Sequence, residues 1–122
     1  MKEQLKTMNE EDSKPCCVYF MAGTGYCEGC YFKIGISDDP KRRLKQIQTS
    51  TPFEIKVCSR WRLKSRCKAA ELEGILHRVF RDHHSKGEWF YLDDLNDLQK
   101  AADLFTDICS LSSDDFKQYN LA

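Results

Sequence analysis

The sequence has no excess of charge of either sign and no long apolar run. Nineteen Lys and Arg balance nineteen Asp and Glu, so the net charge does not mark the whole chain as a binder of polyanions. Any surface for nucleic acid must therefore come from local clusters of charge. No run of about eighteen apolar residues is present to span a membrane. The polar start, MKEQLKTMNEEDSKP, lacks the apolar stretch of a signal peptide, so we expect a cytoplasmic protein.

The length and composition favour one domain with one core. The chain has 122 residues, of which 41% are hydrophobic. Residues 1–14 are too polar to bury enough surface to offset the entropy lost on ordering, so they predict a flexible arm. The domain is predicted over residues 15–111, and residues 112–122 form a predicted C-terminal tail.

Three strands are predicted by short apolar runs and by alternation. Residues 16–21 and 31–37 are two such runs, and the glycine-bearing loop between them predicts an antiparallel hairpin. Side chains alternate along a strand, so Tyr19 and Lys33 both point away from the apolar side of this hairpin. Alternation from Phe53 onward predicts a third strand. Its basic side holds Lys56, Arg60 and Arg62.

Three helices are predicted by capping residues and by three-four spacing of apolar residues. Asp39 is a suitable N-cap for a helix over residues 40–48, which begins with a proline. Ser65 caps a second helix with a long apolar stripe, and a third helix covers residues 94–111. With a short aromatic strand at residues 88–92, the order is β-β-α-β-α-β-α, which is typical of an α+β domain.

Helical geometry places several polar side chains beside the buried stripes. On the first helix, Arg43 flanks the apolar face while Arg42 points to water. On the second helix, Glu73 lies at the edge of the stripe and His77 follows one turn later, so the two can share a site. Taken singly, each residue is more typical of a solvated position or of an exposed ion pair worth under about 1 kcal/mol.

Cysteine occurs at an odd count that does not suit a disulfide framework. The seven cysteines fall below the ~8–10% that marks such scaffolds, so reduced thiols are the simplest state. Cys27 and Cys30 have half of a zinc-site spacing, which Cys16 and Cys17 would have to complete. The predicted hairpin holds Cys30 near Met21, roughly 15 Å along the strand from Cys16, which argues against zinc.

Five short blocks occur in an order and spacing that chance rarely gives. They are VYF at 18–20, KIG at 33–35, DPKRRL at 39–44, AELEGILH at 70–77 and GEWFYL at 87–92. Together they resemble the GIY-YIG nuclease superfamily, most closely the phage and bacterial branch with KIG in place of YIG. The resemblance implies a small three-stranded, mostly antiparallel sheet flanked by helices, to which this chain adds a C-terminal helix. It also implies a metal-dependent endonuclease that hydrolyses phosphodiester bonds in DNA.

The resemblance carries specific roles onto matching positions. Tyr19 matches the tyrosine of the first motif, as a general base or a group that orients water, and Arg43 matches the arginine that holds the phosphate. Glu73 matches the ligand of one Mg²⁺ or Mn²⁺ ion. Lys33 stands where many members have a second tyrosine, where it would favour the phenolate or hold a phosphate. His77 joins this catalytic set as the neighbour of Glu73.

The chain departs from the family pattern, and a second interpretation remains open. Lys33 replaces a tyrosine, and the late asparagine of some members has no counterpart, since Glu88 and Trp89 occupy that region. The alternative is a catalytically inactive nucleic-acid-binding or protein-interaction module on the same fold. For the nuclease, DNA is the expected partner, with no small-molecule cofactor. The predicted contacts to its backbone are Lys41, Arg42, Lys45, Arg60 and Arg62.

Overall fold

The computed structural model describes residues 14–24 and 29–113 of the protein. These residues form β1 (Cys16–Thr24), β2 (Cys30–Ser37), α1 (Pro40–Gln48), β3 (Ile55–Leu63), α2 (Arg66–Val79), β4 (His84–Lys86), β5 (Trp89–Leu92) and α3 (Leu98–Ser113). Short 3₁₀ turns at Arg81–His83 and Leu95–Asp97 precede β4 and α3. Most of the predicted N-terminal arm and C-terminal tail lies outside the described residues.

The five strands form one antiparallel sheet in the order β3-β1-β2-β5-β4. The α+β class is therefore confirmed, but the expectation of a three-stranded sheet was wrong. β5 extends the sheet from β2, and β4 pairs with β5 after a turn at Gly87, whose φ is 59°. All three residues of β4 are exposed, so they carry no alternation of apolar and polar residues that a sequence pattern could reveal.

The predicted hairpin of β1 and β2 is present, with a register that differs from the expected one. Tyr19 lies opposite Gly35 and Met21 lies opposite Lys33, so Tyr19 and Lys33 share one face as predicted. Cys30 lies opposite Thr24 rather than near Met21, which takes it still farther from Cys16. Cys30 is buried in the main core, whereas Cys27, the other cysteine of the zinc-like spacing, lies outside the described residues.

One face of the sheet packs against α2 and α3 and forms the main core. Its centre is a stack of aromatic rings, in which Phe20 lies on Phe32 at a centroid distance of 4.7 Å and Phe32 lies on Phe90 at 5.1 Å. All three are fully buried, and burial of such a side chain contributes about 1.5–3 kcal/mol. Leu72 and Leu76 of α2 cover the core on the side away from the sheet.

The other face of the sheet, here called the α1 face, is covered only in part. Tyr19 and Met21 of β1 pack there against Ile47 of α1 and Ile55 of β3. This second cluster is smaller than the main core, because α1 has nine residues and covers one end of the sheet. The remainder of the α1 face is left for polar side chains and exposed rings.

A bulge in β3 reverses the alternation of its side chains. Phe20 lies opposite Ser59, but the next residue, Met21, lies opposite Val57, so Cys58 is the extra residue. A single inserted residue moves every later side chain to the opposite face of the sheet. Val57, before the bulge, therefore faces α1. After the bulge the even-numbered residues of β3 face α1 instead.

This bulge separates basic residues that the sequence pattern placed together. Arg60 lies opposite Tyr19 and shares the α1 face with Arg62. Lys56 precedes the bulge and points to the other face. The predicted strand face with all three basic residues was therefore wrong, because period-two alternation does not continue through a bulge.

The helix boundaries follow the predicted caps, except at the start of the last helix. Asp39 and Ser65 each accept a hydrogen bond from the backbone N–H three residues later, at 3.1 Å, as N-caps of α1 and α2. Asp94 caps a 3₁₀ turn instead, so α3 begins at Leu98 and ends at Ser113. Within the part of the chain that the structure describes, no helix has the length and apolar content to cross a membrane.

Candidate functional site

The site lies where β2 separates from β5. The two strands pair from Cys30 to Lys33, and the last backbone contact is a hydrogen bond from Ile34 N to Glu88 O at 3.2 Å. His77 of α2 then bonds to the same stretch of β2, with its Nε2 2.9 Å from Ile34 O. Because a carbonyl oxygen only accepts, His77 Nε2 carries the hydrogen in this bond. Side chains of α2 thus reach the edge of β2 at this point.

Gly35 makes room for two polar side chains at this edge. A Cβ atom at Gly35 would lie 2.5 Å from the Tyr19 hydroxyl oxygen and 2.8 Å from Glu88 Oε1. Any other residue at this position would therefore push one of these groups away. The glycine of the KIG block thus explains how a tyrosine of β1 and a glutamate before β5 come so close.

Tyr19 has a buried hydroxyl that lacks a hydrogen-bond partner. Its side chain is fully buried, and among the described residues no group meets its hydroxyl with hydrogen-bond geometry. Burial raises the pKa of Tyr19, the nearby Arg43 guanidinium opposes the rise, and Glu88 adds to it. An unsatisfied buried hydroxyl costs about 1–3 kcal/mol, so such a group commonly marks a functional site.

Glu73 and Glu88 share a hydrogen bond and ionise differently. Burial raises the pKa of Glu73 to about 7, helped by the hydrogen bond to Glu88 and by its charge. Burial also opposes charge on Glu88, but the hydrogen bond and charge of Lys33 outweigh it and lower the pKa of Glu88. This environment favours the ionised form of Glu88 and the protonated form of Glu73, and Glu73 loses its proton as the pH rises through its pKa of about 7.

Lys33 is the cation that sets this balance. Its side chain is 9% exposed, and its Nζ lies 2.8 Å from Glu88 Oε1. The same Nζ lies 5.5 Å from the centroid of the Trp89 ring, within range of a cation–π contact. The predicted assistance of Lys33 to Tyr19 is therefore indirect, because the principal cation beside the hydroxyl is Arg43.

Arg43 and His77 reach the site from different helices, α1 and α2. Arg43 is half-buried on α1, and its Nη1 donates to Gln46 Oε1 at 3.2 Å. His77 Nε2 lies 3.7 Å from Glu73 Oε2, and its ring packs edge-on against Phe90. His77 is thus anchored between the strand and the core, which suits a residue that positions α2 and Glu73.

The structure brings the predicted catalytic residues into one region, although their roles remain predictions. Tyr19, Lys33, Arg43, Glu73 and His77 come from four different elements, β1, β2, α1 and α2, and meet around Gly35. Glu88 was not among the predicted site residues, but in the structure it contacts Lys33 and lies beside Glu73 and Gly35. The available signal was the block that contains it, in which an acidic residue lies between a glycine and an aromatic strand.

The basic residues predicted to contact the DNA backbone differ in their exposure to solvent and in their ion pairs. Arg42 is exposed and is held by Asp38 at 2.8 Å and by Asp39 at 3.7 Å. Arg60 and Arg62 line a cleft of about 430 Å³ that also contains these two aspartates. Lys41 and Lys45 are exposed on α1.

The donor set suits a cation that keeps most of its water. Mg²⁺ usually binds through one or two carboxylates together with substrate phosphates. Glu73 and Glu88 are adjacent and half-buried, which matches that requirement. Among residues 14–24 and 29–113, no group of three or more His, Cys, Asp or Glu side chains is arranged to hold a metal ion.

One family model matches most of the chain. The family model described as T5orf172 domain matches residues 16–106, well over half of the chain, and the match includes every member of the candidate site. This domain is associated with nuclease-like proteins of the GIY-YIG and HNH types. No curated protein and no solved structure matches the chain. The chain belongs to the T5orf172 domain family.

Proposed function

We propose that this protein is a metal-dependent endonuclease of the GIY-YIG type that hydrolyses phosphodiester bonds in DNA. The observation that carries the proposal is the convergence of Tyr19, Arg43 and Glu73, from β1, α1 and α2, on the space beside Gly35. Membership of the T5orf172 family and the order of the five sequence blocks support the same conclusion.

Arg43 would hold the scissile phosphate. Hydrolysis forms a bond between a water oxygen and phosphorus and breaks the bond to the leaving oxygen, so negative charge develops on the phosphoryl oxygens. A guanidinium can bind two of these oxygens through parallel hydrogen bonds. Arg43 is half-buried, which reduces the screening of its charge by water, so it can stabilise the transition state more than an exposed arginine can.

Tyr19 would orient the attacking water. Its raised pKa keeps the phenol protonated at neutral pH, and among the described residues no group meets its hydroxyl with hydrogen-bond geometry. These properties favour a role as a positioning hydrogen-bond partner over that of a general base in the free protein. Glu88 is ionised and its oxygen borders the same space, so it is the group placed to accept the proton that the water loses.

Glu73, with Glu88 beside it, would hold the Mg²⁺ or Mn²⁺ ion. When bound, such an ion neutralises charge on the phosphate and on the leaving oxygen. Glu73 has a pKa of about 7 and must lose its proton before it can act as a ligand, so binding is favoured as the pH rises. Lys33 lowers the pKa of Glu88 and so keeps this second carboxylate ionised.

Plasmid nicking tests the proposal. Supercoiled plasmid is incubated with Mg²⁺ or Mn²⁺ and the parent protein, Arg43→Ala, Glu73→Ala or Tyr19→Phe, with Lys100→Ala on α3 as an exposed control. We expect the parent and the control to nick equally, and each site variant to lose roughly 10²-fold or more of the rate. Circular dichroism establishes that each variant is folded. Nicking by Glu73→Ala at the parent rate would contradict the proposal.

One observation favours the inactive binding module. Lys33 already neutralises Glu88, and Glu88 accepts a hydrogen bond from the protonated form of Glu73, so the acidic pair is stabilised without a metal ion. DNA binding without nicking at any concentration of Mg²⁺ or Mn²⁺ would support this second function and exclude the nuclease.

A further inference from the structure

A group of contacting aromatic rings lies on the α1 face beside the candidate site, and the proposed chemistry does not use it. Tyr31 is central, parallel to Phe53 within 9° at a centroid distance of 5.8 Å. It also contacts Tyr91 at 4.8 Å and the edge of Trp89 at 6.4 Å. We call these four residues, Tyr31, Phe53, Trp89 and Tyr91, the aromatic platform.

The backbone assembles this platform from three separate segments. Tyr31 lies opposite Tyr91 in the register of β2 and β5, which places both rings on one face. Gly23 of β1 leaves space for Phe53, because a Cβ atom at that position would overlap the Phe53 ring. The rings therefore form a row across the α1 face of the sheet. The main core lies on the opposite face, so its packing does not require these rings.

The platform borders a shallow open groove. Tyr31 is 36% exposed, and the groove has a volume of about 350 Å³. The groove is lined by Tyr31, Ser50, Thr51, Pro52, Phe53, Ser85, Lys86 and Trp89. These described residues include hydroxyl groups and a lysine but no acidic side chain, so the surface suits an apolar ring attached to a negatively charged group.

Lys33 connects the platform to the site. Its Nζ lies 5.5 Å from the centroid of the Trp89 ring and 2.8 Å from Glu88 Oε1. Trp89 directly follows Glu88 in the chain. A DNA strand whose phosphate lies at the site therefore has its neighbouring nucleotide within reach of the platform.

We infer that the aromatic platform stacks an unpaired base of the DNA strand that is cut, so that the substrate has a single-stranded or unpaired segment next to the scissile phosphate. This inference depends on the proposed function for the location of that phosphate. Inside a duplex the faces of each base are covered by its neighbours, whereas the unstacked bases of a single strand are free to lie on a protein ring. Lys86 lines the groove beside the rings and complements a backbone phosphate.

The geometry also fixes the mode of stacking. Insertion of a base between two rings needs a separation of about 7 Å, which is two contact distances of ~3.5 Å. Tyr31 and Phe53 are 5.8 Å apart, so the base lies on the exposed side of the row instead of between these two rings. Tyr31, as the exposed central ring, is the residue on which binding depends most.

Fluorescence of 2-aminopurine tests the inference without any cleavage. A short single-stranded oligonucleotide with 2-aminopurine at successive positions is titrated with the protein in EDTA, beside a blunt duplex of the same sequence. We expect tighter binding of the single strand and quenching at one position. Tyr31→Leu should weaken single-strand binding on the order of 5–100-fold and remove the quenching, whereas Tyr31→Phe retains both. Leu104→Ala, an exposed position on α3, is the matched control.

The outcomes separate this inference from the proposed nuclease activity. Quenching that persists in Tyr31→Leu, or equal affinity for duplex and single strand, would overturn the platform even if the protein nicks plasmid. Quenching that depends on the Tyr31 ring would support the platform even if no nicking occurs. Thermal melting of Tyr31→Leu and the behaviour of Tyr31→Phe distinguish loss of the ring from loss of the fold.

Discussion

Lys33 Nζ lies 2.8 Å from Glu88 Oε1, although the two residues are 55 positions apart in the chain. This pair determines which of two neighbouring carboxyl groups is ionised. Lys33 stabilises the charge on Glu88, whereas burial next to that charge raises the pKa of Glu73 and favours its protonated form. The antiparallel register of β2 and β5 creates the pair, because Trp89 lies opposite Lys33 and the preceding residue is Glu88.

Glu88→Gln is expected to shift the pH dependence of nicking to lower pH. Burial and the interactions with Glu88 raise the pKa of Glu73 to about 7, so parent activity should rise with pH through that value as Glu73 loses its proton. A neutral residue at position 88 removes the adjacent negative charge, which lowers the pKa of Glu73. The measurement is the rate of plasmid nicking across pH 5 to 9.

The rate at high pH provides a second reading of the same variant. The rate at high pH should fall, because Glu88 is the proposed proton acceptor. This fall does not depend on the position of the acid limb, which is the part of the pH profile where the rate rises as Glu73 loses its proton. Glu71→Gln, at an exposed position on α2 near Glu73, should change neither the pH of the acid limb nor the rate at high pH. An acid limb at the same pH in Glu88→Gln and the parent would show that Glu73 does not control it.

Glu73→Gln is expected to stabilise the protein at high pH. The folded protein binds the Glu73 proton more tightly than the unfolded chain, since the pKa rises from 4.5 to about 7 on folding. The contribution of Glu73 to stability is therefore most favourable below pH 4.5 and is lost as the pH rises through about 7. Glutamine resembles the protonated acid, so the variant should gain about 1–2 kcal/mol at pH 8 after allowance for solvent screening.

Thermal melting at two pH values measures this effect. The gain at pH 8 corresponds to an increase in Tm of roughly 4–8 °C, with little change at pH 4.5. Glu71→Gln again serves as the control on the same helix. An equal shift in Tm at both pH values would indicate a packing effect instead of removal of a destabilising charge.

Local patterns in the sequence were sufficient to predict much of the candidate site. Alternation placed Tyr19 and Lys33 on one face, and helical spacing placed Glu73 beside His77; the structure shows both arrangements. The N-cap at Asp39 correctly fixed the start of α1, which determines where Arg43 points. Each of these relationships depends on residues within one or two turns or strands, and such neighbours are encoded by periodicity.

The errors arose where distant segments determine the structure. The bulge at Cys58 depends on how β3 pairs with β1, so alternation within β3 alone could not reveal it. Glu88 precedes a four-residue strand, and its importance follows only from the pairing of β5 with β2. The three residues of β4 carry no apolar pattern because all of them are exposed.

Gly35→Ala is expected to disrupt the site while leaving most of the fold in place. The added methyl group would lie 2.5 Å from the Tyr19 hydroxyl oxygen and 2.8 Å from Glu88 Oε1, so at least one of these groups must move. A displacement of about 1 Å in a catalytic group can lower a rate about 10²-fold. Nicking rate and Tm are measured together, and the fall in rate should be the larger effect.

Gly74→Ala is the matched control for this substitution. A Cβ atom there would approach only Arg78 Nη1, at 3.9 Å, so the helix has space for it. Replacing a helical glycine with alanine usually stabilises a helix by about 0.5–1 kcal/mol. Equal losses of activity in the two variants would show that the space beside Gly35 has no special role.

The salt dependence of DNA binding should distinguish Arg60 and Arg62 from Arg42. Arg42 is already held by Asp38 and Asp39, whereas Arg60 and Arg62 have no ion pair among the described residues. Each phosphate contact contributes roughly 0.9 to the slope of log K against log salt for duplex DNA and about 0.7 for a single strand. The double variant Arg60→Ala, Arg62→Ala should therefore reduce the slope by about 1.4–1.8, and Arg42→Ala by well under 0.7.

Binding to one oligonucleotide at several salt concentrations in EDTA provides this slope. Lys100→Ala on α3, which lies on the far side of the sheet, should leave it unchanged. If Arg42→Ala reduces the slope by a full contact, about 0.7–0.9, the ion pair with Asp38 must open readily when DNA binds. If the double variant retains the parent slope, DNA does not follow the cleft beside Arg60 and Arg62, and its path across the α1 face must depend on Lys41 and Lys45 instead.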